Sequence, residues 1–116
     1  MLIQSGGMMR VTVENEVYFL SLNGEINEDN FCSVEKKLTN FLEDGNVKLV
    51  LDLSRLKHIN YQLIGSLIGW QKKFKDFGGD IKLVNVSAYI YDILRLYGFY
   101  PFEIYPTRRA AVKGFA

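Results

Sequence analysis

The segment from Val47 to Phe77 constrains the fold more than any other part of the chain. Its first seven residues are apolar except for Lys48 and Asp52, which is typical of a strand buried on both faces of a mixed or parallel sheet. A short polar turn at residues 57–60 follows, and apolar residues then return at helical spacing. The predicted buried face of this helix consists of Leu63, Ile64, Leu67, Ile68, Trp70 and Phe74.

The opposite face of the same helix is predicted to be polar and exposed, and it carries Gln71, Lys72, Lys73 and Lys75. A buried strand that leads into a helix through a tight turn places the turn residues at the helix N-terminus. Unpaired backbone N–H groups and the positive end of the helix dipole are exposed there. We therefore expect a functional site at Asn60-Tyr61-Gln62.

The remaining patterns predict one α/β domain over residues 9–116, preceded by a flexible lead-in at residues 1–8. Strands are predicted at residues 11–13, 17–22, 47–53, 81–86 and 102–105. Helices are predicted from about residue 28 to Gly45, over residues 62–77 and 87–97, and from Thr107 onward. Asn27 or Asp29, Ser87 and Thr107 are suitable N-caps. The order β-β-α-β-α-β-α-β-α predicts a mixed sheet with helices packed on it.

Composition limits the classes of function. The net charge is only +1, which argues against binding of nucleic acid through a basic surface. No apolar run approaches the roughly 20 residues that a membrane span requires. Cys32 is the single cysteine, so an internal disulfide is excluded and a reducing cytoplasm is the expected location.

The residue inventory does not favour catalysis or metal binding. His58 and Cys32 are the only histidine and cysteine, so a zinc or redox-metal site has no ligand set, and we expect no cofactor. No G-x-S-x-G elbow and no glycine-rich phosphate loop is present. We interpret His58 as a partly exposed turn residue and Cys32 as a half-buried apolar one. Asp52 and Glu25 are expected to be ordinary polar residues near strand ends. We expect no enzymatic activity.

A receiver domain is an alternative that Asp52 raises, because Leu-Val-Leu-Asp-Leu is also typical of a phosphoacceptor strand. A receiver needs an acidic pair after its first strand to bind Mg²⁺, which prefers oxygen ligands. The first strands here end in Asn15-Glu16 and Asn23-Gly24-Glu25, without adjacent carboxylates. The missing pair argues against the receiver.

Residues 22–27, 49–54, 59–65, 77–86 and 94–99 carry five motifs. Their order and spacing resemble those of the STAS domain, the fold of sulphate-transporter tails and bacterial anti-sigma-factor antagonists. Residues 22–27 resemble its L-x-G-E-(L/I)-D signature, and residues 49–54 resemble its central strand VVLDLS. Residues 59–65 stand where the family has I-D-S-(S/T)-G-L-G. Residues 77–86 resemble its G-G turn and following strand, and residues 94–99 resemble a helix end of the family. The likeness covers the chain from about Met9 to Phe115.

The resemblance implies a protein-binding surface and a phosphorylation site, and the chain departs from the family at that site. The family's phosphorylated Ser or Thr corresponds to Tyr61, and its preceding Asp corresponds to Asn60. A kinase that acts on a short hydroxyl side chain at a helix start would find the phenol oxygen displaced by several ångströms. The partner-binding surface that the resemblance implies consists of Glu25, Ile26, Asn27, Asn60, Tyr61, Gln62 and Ser66, with Lys57, Lys72 and Lys73 as a basic side.

Two functions follow from the resemblance. The first is a non-catalytic module that binds an anti-sigma factor or a kinase-like regulator without the Ser/Thr phosphorylation switch. The second is a ligand-sensing or transporter-associated module that binds a lipid, a nucleotide or a transporter subunit. The aromatic residues of the C-terminal third add a self-association option: Tyr97, Phe99 and Phe102 are expected in the core, whereas Tyr89 and Tyr91 would be exposed and could form a homodimer contact.

Overall fold

The computed structural model describes the backbone of residues 2–5 and all atoms of residues 8–96 and 101–116. Within these ranges the strands are β1 (Leu2–Ser5), β2 (Met9–Glu14), β3 (Val17–Leu22), β4 (Gly24–Ile26), β5 (Lys48–Asp52), β6 (Leu56–Ile59), β7 (Asp80–Val84) and β8 (Ile104–Tyr105). The helices are α1 (Phe31–Glu43), α2 (Gln62–Asp76), α3 (Ala88–Arg95) and α4 (Arg108–Gly114).

The described strands form a mixed six-stranded sheet in the order β1-β2-β3-β5-β7-β8, and a separate parallel pair, β4-β6. Strand β2 is antiparallel to its neighbours β1 and β3, whereas β3, β5, β7 and β8 are parallel to one another. Each parallel neighbour is reached through a helix, as parallel pairing requires. The predicted fold class, a mixed sheet with helices packed on it, is confirmed.

Hydrophobic side chains fill both faces of the large sheet. The larger cluster lies between the sheet and α1, α2 and α3, and it includes the fully buried Leu20, Leu49 and Leu51. The smaller cluster lies on the other face, where Ala111 of α4 packs among residues that include Phe19. The central strand β5 therefore contributes apolar side chains to both clusters, as the continuous apolar run predicted.

Local signals placed most helix ends correctly. The hydroxyl oxygens of Ser87 and Thr107 accept hydrogen bonds from the backbone N–H groups of Ile90 and Ala110, both at 3.1 Å, and so cap α3 and α4. Gly45 and Gly78 follow α1 and α2 with φ of +77° and +88°, the left-handed conformation that suits a glycine after a helix.

The structure contains three strands that the predicted order lacks, β1, β4 and β6. The predicted lead-in contains β1, whose backbone pairs with β2 and covers an edge that would otherwise leave unpaired N–H and C=O groups. The turns predicted near residues 24–26 and 57–60 contain β4 and β6, which are short and pair only with each other. The first helix begins at Phe31 rather than near residue 28, because residues 27–30 form a separate turn.

Four predicted side-chain environments are corrected or only partly met. Gln71 is 2% exposed, and its Nε2 donates to Ile81 O and Pro101 O, so it belongs to the interior. Trp70 is only half-buried, and its Nε1 donates to Glu35 at 2.9 Å. Cys32 is exposed rather than half-buried. Phe102 is buried as expected, whereas Tyr97 and Phe99, also expected in the core, lie outside the described residues.

Candidate functional site

Parallel pairing of β4 with β6 brings two distant segments of the predicted surface together. Glu25 lies opposite His58, and Ile26 lies opposite Ile59. The pairing continues past β6, because the backbone N–H of Asn60 donates to Ile26 O at 3.0 Å. The loop after β4 and the turn before α2 are therefore neighbours on one edge of the molecule, although more than thirty residues separate them in sequence.

Asn60 connects the two segments through its side chain as well. Its Nδ2 donates to Glu28 Oε2 at 2.9 Å. The pKa of Glu28 lies below its ordinary value, because the backbone N–H of Glu28 and then the Asn60 amide donate hydrogen bonds to the carboxylate. Glu28 is therefore a negatively charged, exposed group beside the start of α2 at neutral pH.

Asparagine side chains hold the loop that follows β4. The Oδ1 of Asn27 accepts from the backbone N–H of Asp29 at 2.9 Å, as in an Asx turn. The side chain of Asn30 accepts from the Asn27 N–H at 2.9 Å and donates to Glu25 O at 2.8 Å. These bonds use the amides within the loop, so the loop has a defined shape before any partner binds.

Tyr61 lies at the N-cap position of α2 with 48% of its surface exposed. This placement was predicted from the strand-turn-helix pattern, and it is confirmed. The Tyr61 side chain does not cap the helix. The backbone N–H groups of Leu63 and Ile64 donate instead to the carbonyl oxygens of Asn60 and Tyr61, at 2.9 and 3.0 Å. Gln62 and Ser66 are also exposed, on the first and second turns of α2.

The structure changes the membership of the predicted surface in two places. Ile26 is fully buried, so its side chain belongs to the core and only its backbone reaches the site. Lys72 lies ten residues beyond Gln62, which is about 15 Å along the helix axis, and Lys73 packs over the Trp70 ring at 4.5 Å. These two lysines therefore do not border Tyr61, whereas Glu25 and Lys57 are exposed near it on β4 and β6.

A cleft beside Tyr61 contains residues that sequence reasoning did not assign to the site. It has a volume of about 480 Å³ and lies between the start of α2 and helix α3. Its lining residues are His58, Ile59, Asn60, Tyr61, Gln62, Tyr89, Asp92, Ile93 and Leu96. The spacing of Tyr89, Asp92 and Leu96 at i, i+3 and i+7 was the signal that could have identified one helix face.

His58 forms one wall of this cleft. It was predicted to lie in a turn, but it belongs to strand β6. Its Nδ1 lies 2.7 Å from the Tyr89 hydroxyl, and the two ring centroids are 5.9 Å apart. This hydrogen bond links β6 to α3 and orients the Tyr89 ring at the rim of the cleft. The exposure predicted for Tyr89 is confirmed at 54%, whereas Tyr91, which was also expected to be exposed, is half-buried.

The part of the chain that the structure describes offers no cluster of three His, Cys, Asp or Glu side chains that could hold a metal ion. Asp52, which raised the receiver alternative, is 4% exposed, and its Oδ2 accepts from Arg108 Nε at 2.8 Å. A buried, ion-paired carboxylate is not accessible as a phosphoacceptor.

Among the described residues, each helix is too short or too polar to cross a bilayer.

Comparison with known proteins finds a matching family model and similar solved structures. A family model described as STAS domain matches residues 8–111, and no curated protein sequence matches the chain. A Thermotoga maritima structure described as a candidate anti-sigma factor antagonist superimposes with a TM-score of 0.84 at 25% identity, covering 93% of this chain and 94% of that one.

Two further similar structures share the fold at lower identity. SpoIIAA of Bacillus, an anti-sigma factor antagonist solved in unphosphorylated and phosphorylated forms, has a TM-score of 0.71 at 18% identity in both. The alignments cover 91% and 93% of this chain and 96% and 99% of the SpoIIAA chains. The murine anion transporter Slc26a9 matches with a TM-score of 0.66 at 20% identity, over 85% of this chain but 17% of the transporter chain.

Proposed function

The chain belongs to the STAS domain family, and we propose that it is a non-catalytic binding module that acts like an anti-sigma factor antagonist in the bacterial cytoplasm. Its partner is an anti-sigma factor or a related kinase-like regulator of transcription. The partner binds at the surface formed by Glu25, Asn27, Asn60, Tyr61, Gln62 and Ser66, which we call the turn surface.

One observation carries this proposal: the β4–β6 pairing, extended by the Asn60–Ile26 backbone bond, places both motif segments on one surface. Four of the six residues of the turn surface are exposed and Asn27 and Asn60 are half-buried, while the loop after β4 is held by its own hydrogen bonds. A preorganised surface loses little entropy on binding, and an exposed tyrosine at its centre is a frequent anchor in protein interfaces. The similarity to antagonist structures supports the same function.

The proposed module lacks a serine or threonine switch at the start of α2. SpoIIAA has been solved in a phosphorylated form, and phosphorylation adds about two negative charges to a surface at neutral pH. At the corresponding turn this chain has Asn60, Tyr61 and Gln62, and the nearest serine, Ser66, lies about one helical turn further along. We therefore infer that the turn surface stays in one binding state in the presence of ATP.

The similarity to Slc26a9 favours a second candidate function, in which the domain associates with a transporter or binds a small ligand. The cleft beside Tyr61 has a volume within the range of small-molecule sites, about 300–1,000 Å³. A transporter subunit recovered with the protein, or a lipid or nucleotide retained on purification, would favour this candidate over the first. A recovered anti-sigma factor would favour the first.

The test begins with affinity capture from native bacterial lysate and identification of the partner by mass spectrometry. The wild type, Tyr61→Ala and the control Phe77→Ala are then compared, because Phe77 is an exposed aromatic residue at the opposite end of α2. We expect Tyr61→Ala to weaken partner binding at least tenfold and Phe77→Ala to leave it unchanged. Equal binding by all three proteins would refute the turn surface as the binding site.

The absence of a switch is tested with the purified partner and ATP. The wild type should remain bound, and mass spectrometry should find no phosphate on Tyr61 or Ser66. The variant Tyr61→Ser restores a short hydroxyl at the helix start. With a partner that retains kinase activity, this variant should be phosphorylated and should dissociate. Phosphate on wild-type Tyr61 or Ser66, accompanied by dissociation, would overturn the inference.

A further inference from the structure

We propose that the cleft between the start of α2 and helix α3 binds an apolar side chain of a helical partner segment whose neighbouring residues are Arg or Lys. This inference rests on the proposed function, since the cleft adjoins the turn surface and shares Tyr61 with it. It adds a second contact region, on α3, and it specifies the chemistry of the partner.

Exposed apolar surface is concentrated at this cleft. Among the described residues four large apolar or aromatic side chains are strongly exposed: Tyr61, Phe77, Tyr89 and Leu96. Three of the four, Tyr61, Tyr89 and Leu96, line the cleft, while Ile59 and Ile93 lie buried at its base. Clustering of exposed apolar side chains around one cleft is typical of an interaction site.

The face of α3 that borders the cleft does not serve the core. Ile90, Ile93 and Leu94 are the buried residues of this helix. Tyr89, Asp92 and Leu96 follow one another at i, i+3 and i+7 on an adjacent face, so they form a continuous stripe. Two exposed apolar side chains with a carboxylate between them can pack against the face of another helix, which would remove the apolar surface from water.

The charges at the cleft favour a basic partner. Asp92 lines the cleft, and Glu28 lies on the other side of Asn60, where hydrogen bonds hold its carboxylate ionised. Among the ion pairs of the described residues, neither carboxylate has a cationic partner within 4.0 Å. The cation of Arg95 lies 5.7 Å from the Tyr91 ring, and neither Arg95 nor Lys57 lines the cleft. An approaching Arg or Lys would thus meet two carboxylates that are not engaged in an ion pair.

The Tyr89 ring at the rim of the cleft is held in place by a hydrogen bond. Its hydroxyl is held by His58 Nδ1 at 2.7 Å, so the ring is already oriented before a partner arrives. A rigid aromatic wall loses less conformational entropy on binding than a flexible side chain does. The ring provides the apolar contact, whereas the hydroxyl only positions the ring.

The probe for this inference is a phage-displayed library of 16-residue peptides, selected on the full wild-type chain. A parallel selection uses the double variant Tyr89→Ser, Leu96→Ser. Both residues are exposed, so the double variant is expected to keep its fold, and its thermal unfolding is measured to verify this. We expect peptides enriched on the wild type alone to carry Leu, Ile or Phe at helical spacing, flanked by Arg or Lys.

The best such peptide is then synthesised and titrated into ¹⁵N-labelled protein. The largest changes in amide chemical shift on addition of the peptide should occur at Tyr61, Tyr89, Asp92 and Leu96. Asp92→Asn should weaken binding about threefold, which is the size expected of one exposed charge pair, and the control Asp76→Asn should not. Tyr89→Phe keeps the ring but loses the bond to His58, so it should bind slightly more weakly than the wild type and more tightly than the double variant.

Equal enrichment of peptides on the wild type and the double variant would overturn the inference, and so would enrichment of acidic or uncharged sequences. Self-association of the wild type in sedimentation that the double variant abolishes would also overturn it, because a second copy of the chain would then occupy the cleft. The captured partner separates this inference from the proposed function. Loss of partner binding in Tyr61→Ala but not in the double variant would refute the cleft and leave the turn surface standing.

Discussion

The Arg108 Nε donates to the Asp52 Oδ2 at 2.8 Å and joins the start of α4 to the end of the central strand β5. The same guanidinium donates to Thr12 Oγ1 and Ser21 Oγ, both at 3.1 Å, and it lies 4.7 Å from the Phe19 ring centre. One side chain thus connects α4 to β2, β3 and β5, and the C-terminal helix depends on it for its position on the sheet.

Replacing Asp52 by Asn should destabilise the protein. The substitution keeps the shape of the side chain but leaves the partly buried Arg108 without its counterion. Breaking a fully buried pair costs about 3–5 kcal/mol, and we expect about 2 kcal/mol here because Arg108 is only partly buried. Urea unfolding measures the loss. Glu43→Gln, at an exposed position at the end of α1, is the control and should change the unfolding free energy by less than about 0.5 kcal/mol.

Acid should remove the advantage that Asp52 provides. Burial raises the pKa of Asp52, but hydrogen bonds from the Ser54 N–H, Arg108 and Asn85 together hold this pKa below its ordinary value. A carboxyl group whose pKa is lower in the folded state stabilises the fold above its unfolded pKa of about 3.9. That stabilisation is lost as the pH falls through the folded pKa.

The gap in unfolding free energy between wild type and Asp52→Asn should therefore be constant from pH 7 to pH 5 and narrow below about pH 4. Urea unfolding across this range measures the gap. A gap that widens in acid would contradict the assigned role of the Asp52 carboxylate.

Gly79→Ala should be strongly destabilising because of steric overlap. A Cβ at this position would lie 2.0 Å from the carbonyl oxygen of Val47, and a backbone atom cannot move aside cheaply. We expect a loss of roughly 2 kcal/mol or more. The matched control is Gly69→Ala in the middle of α2, where a Cβ meets nothing within 4 Å and helix propensity predicts a gain of about 0.5–1 kcal/mol. Thermal unfolding of both variants distinguishes the two effects.

Asn60→Asp should raise the pKa of Glu28. In the wild type the Asn60 amide donates to the Glu28 carboxylate, and the substitution replaces that donor with a second carboxylate at the same place. NMR titration of the Glu28 side chain measures the shift, and Asn40→Asp on the exposed face of α1 is the control. An unchanged Glu28 pKa would mean that the Asn60–Glu28 bond is not formed in solution.

The sequence by itself predicted the elements whose signals are local. Alternation of apolar residues located β2 and β3, the continuous apolar run located β5, and Ser87 and Thr107 marked the starts of two helices. The position of Tyr61 at the start of α2 followed from the same patterns. Residues within a few positions of one another determine all these features, because capping and periodicity depend on neighbours in the chain.

Only the tertiary structure decided the features that depend on contacts between distant segments. The strands β4 and β6 have three and four residues, too short for a periodic signal, and exist because they pair with each other. Gln71 is buried because backbone carbonyl groups of other segments accept its amide protons. The cleft between α2 and α3 likewise depends on how the helices pack, since no local pattern encodes the distance from His58 to Tyr89. Burial of a polar group is set by the hydrogen bonds that distant residues offer, and one sequence does not state where those residues lie.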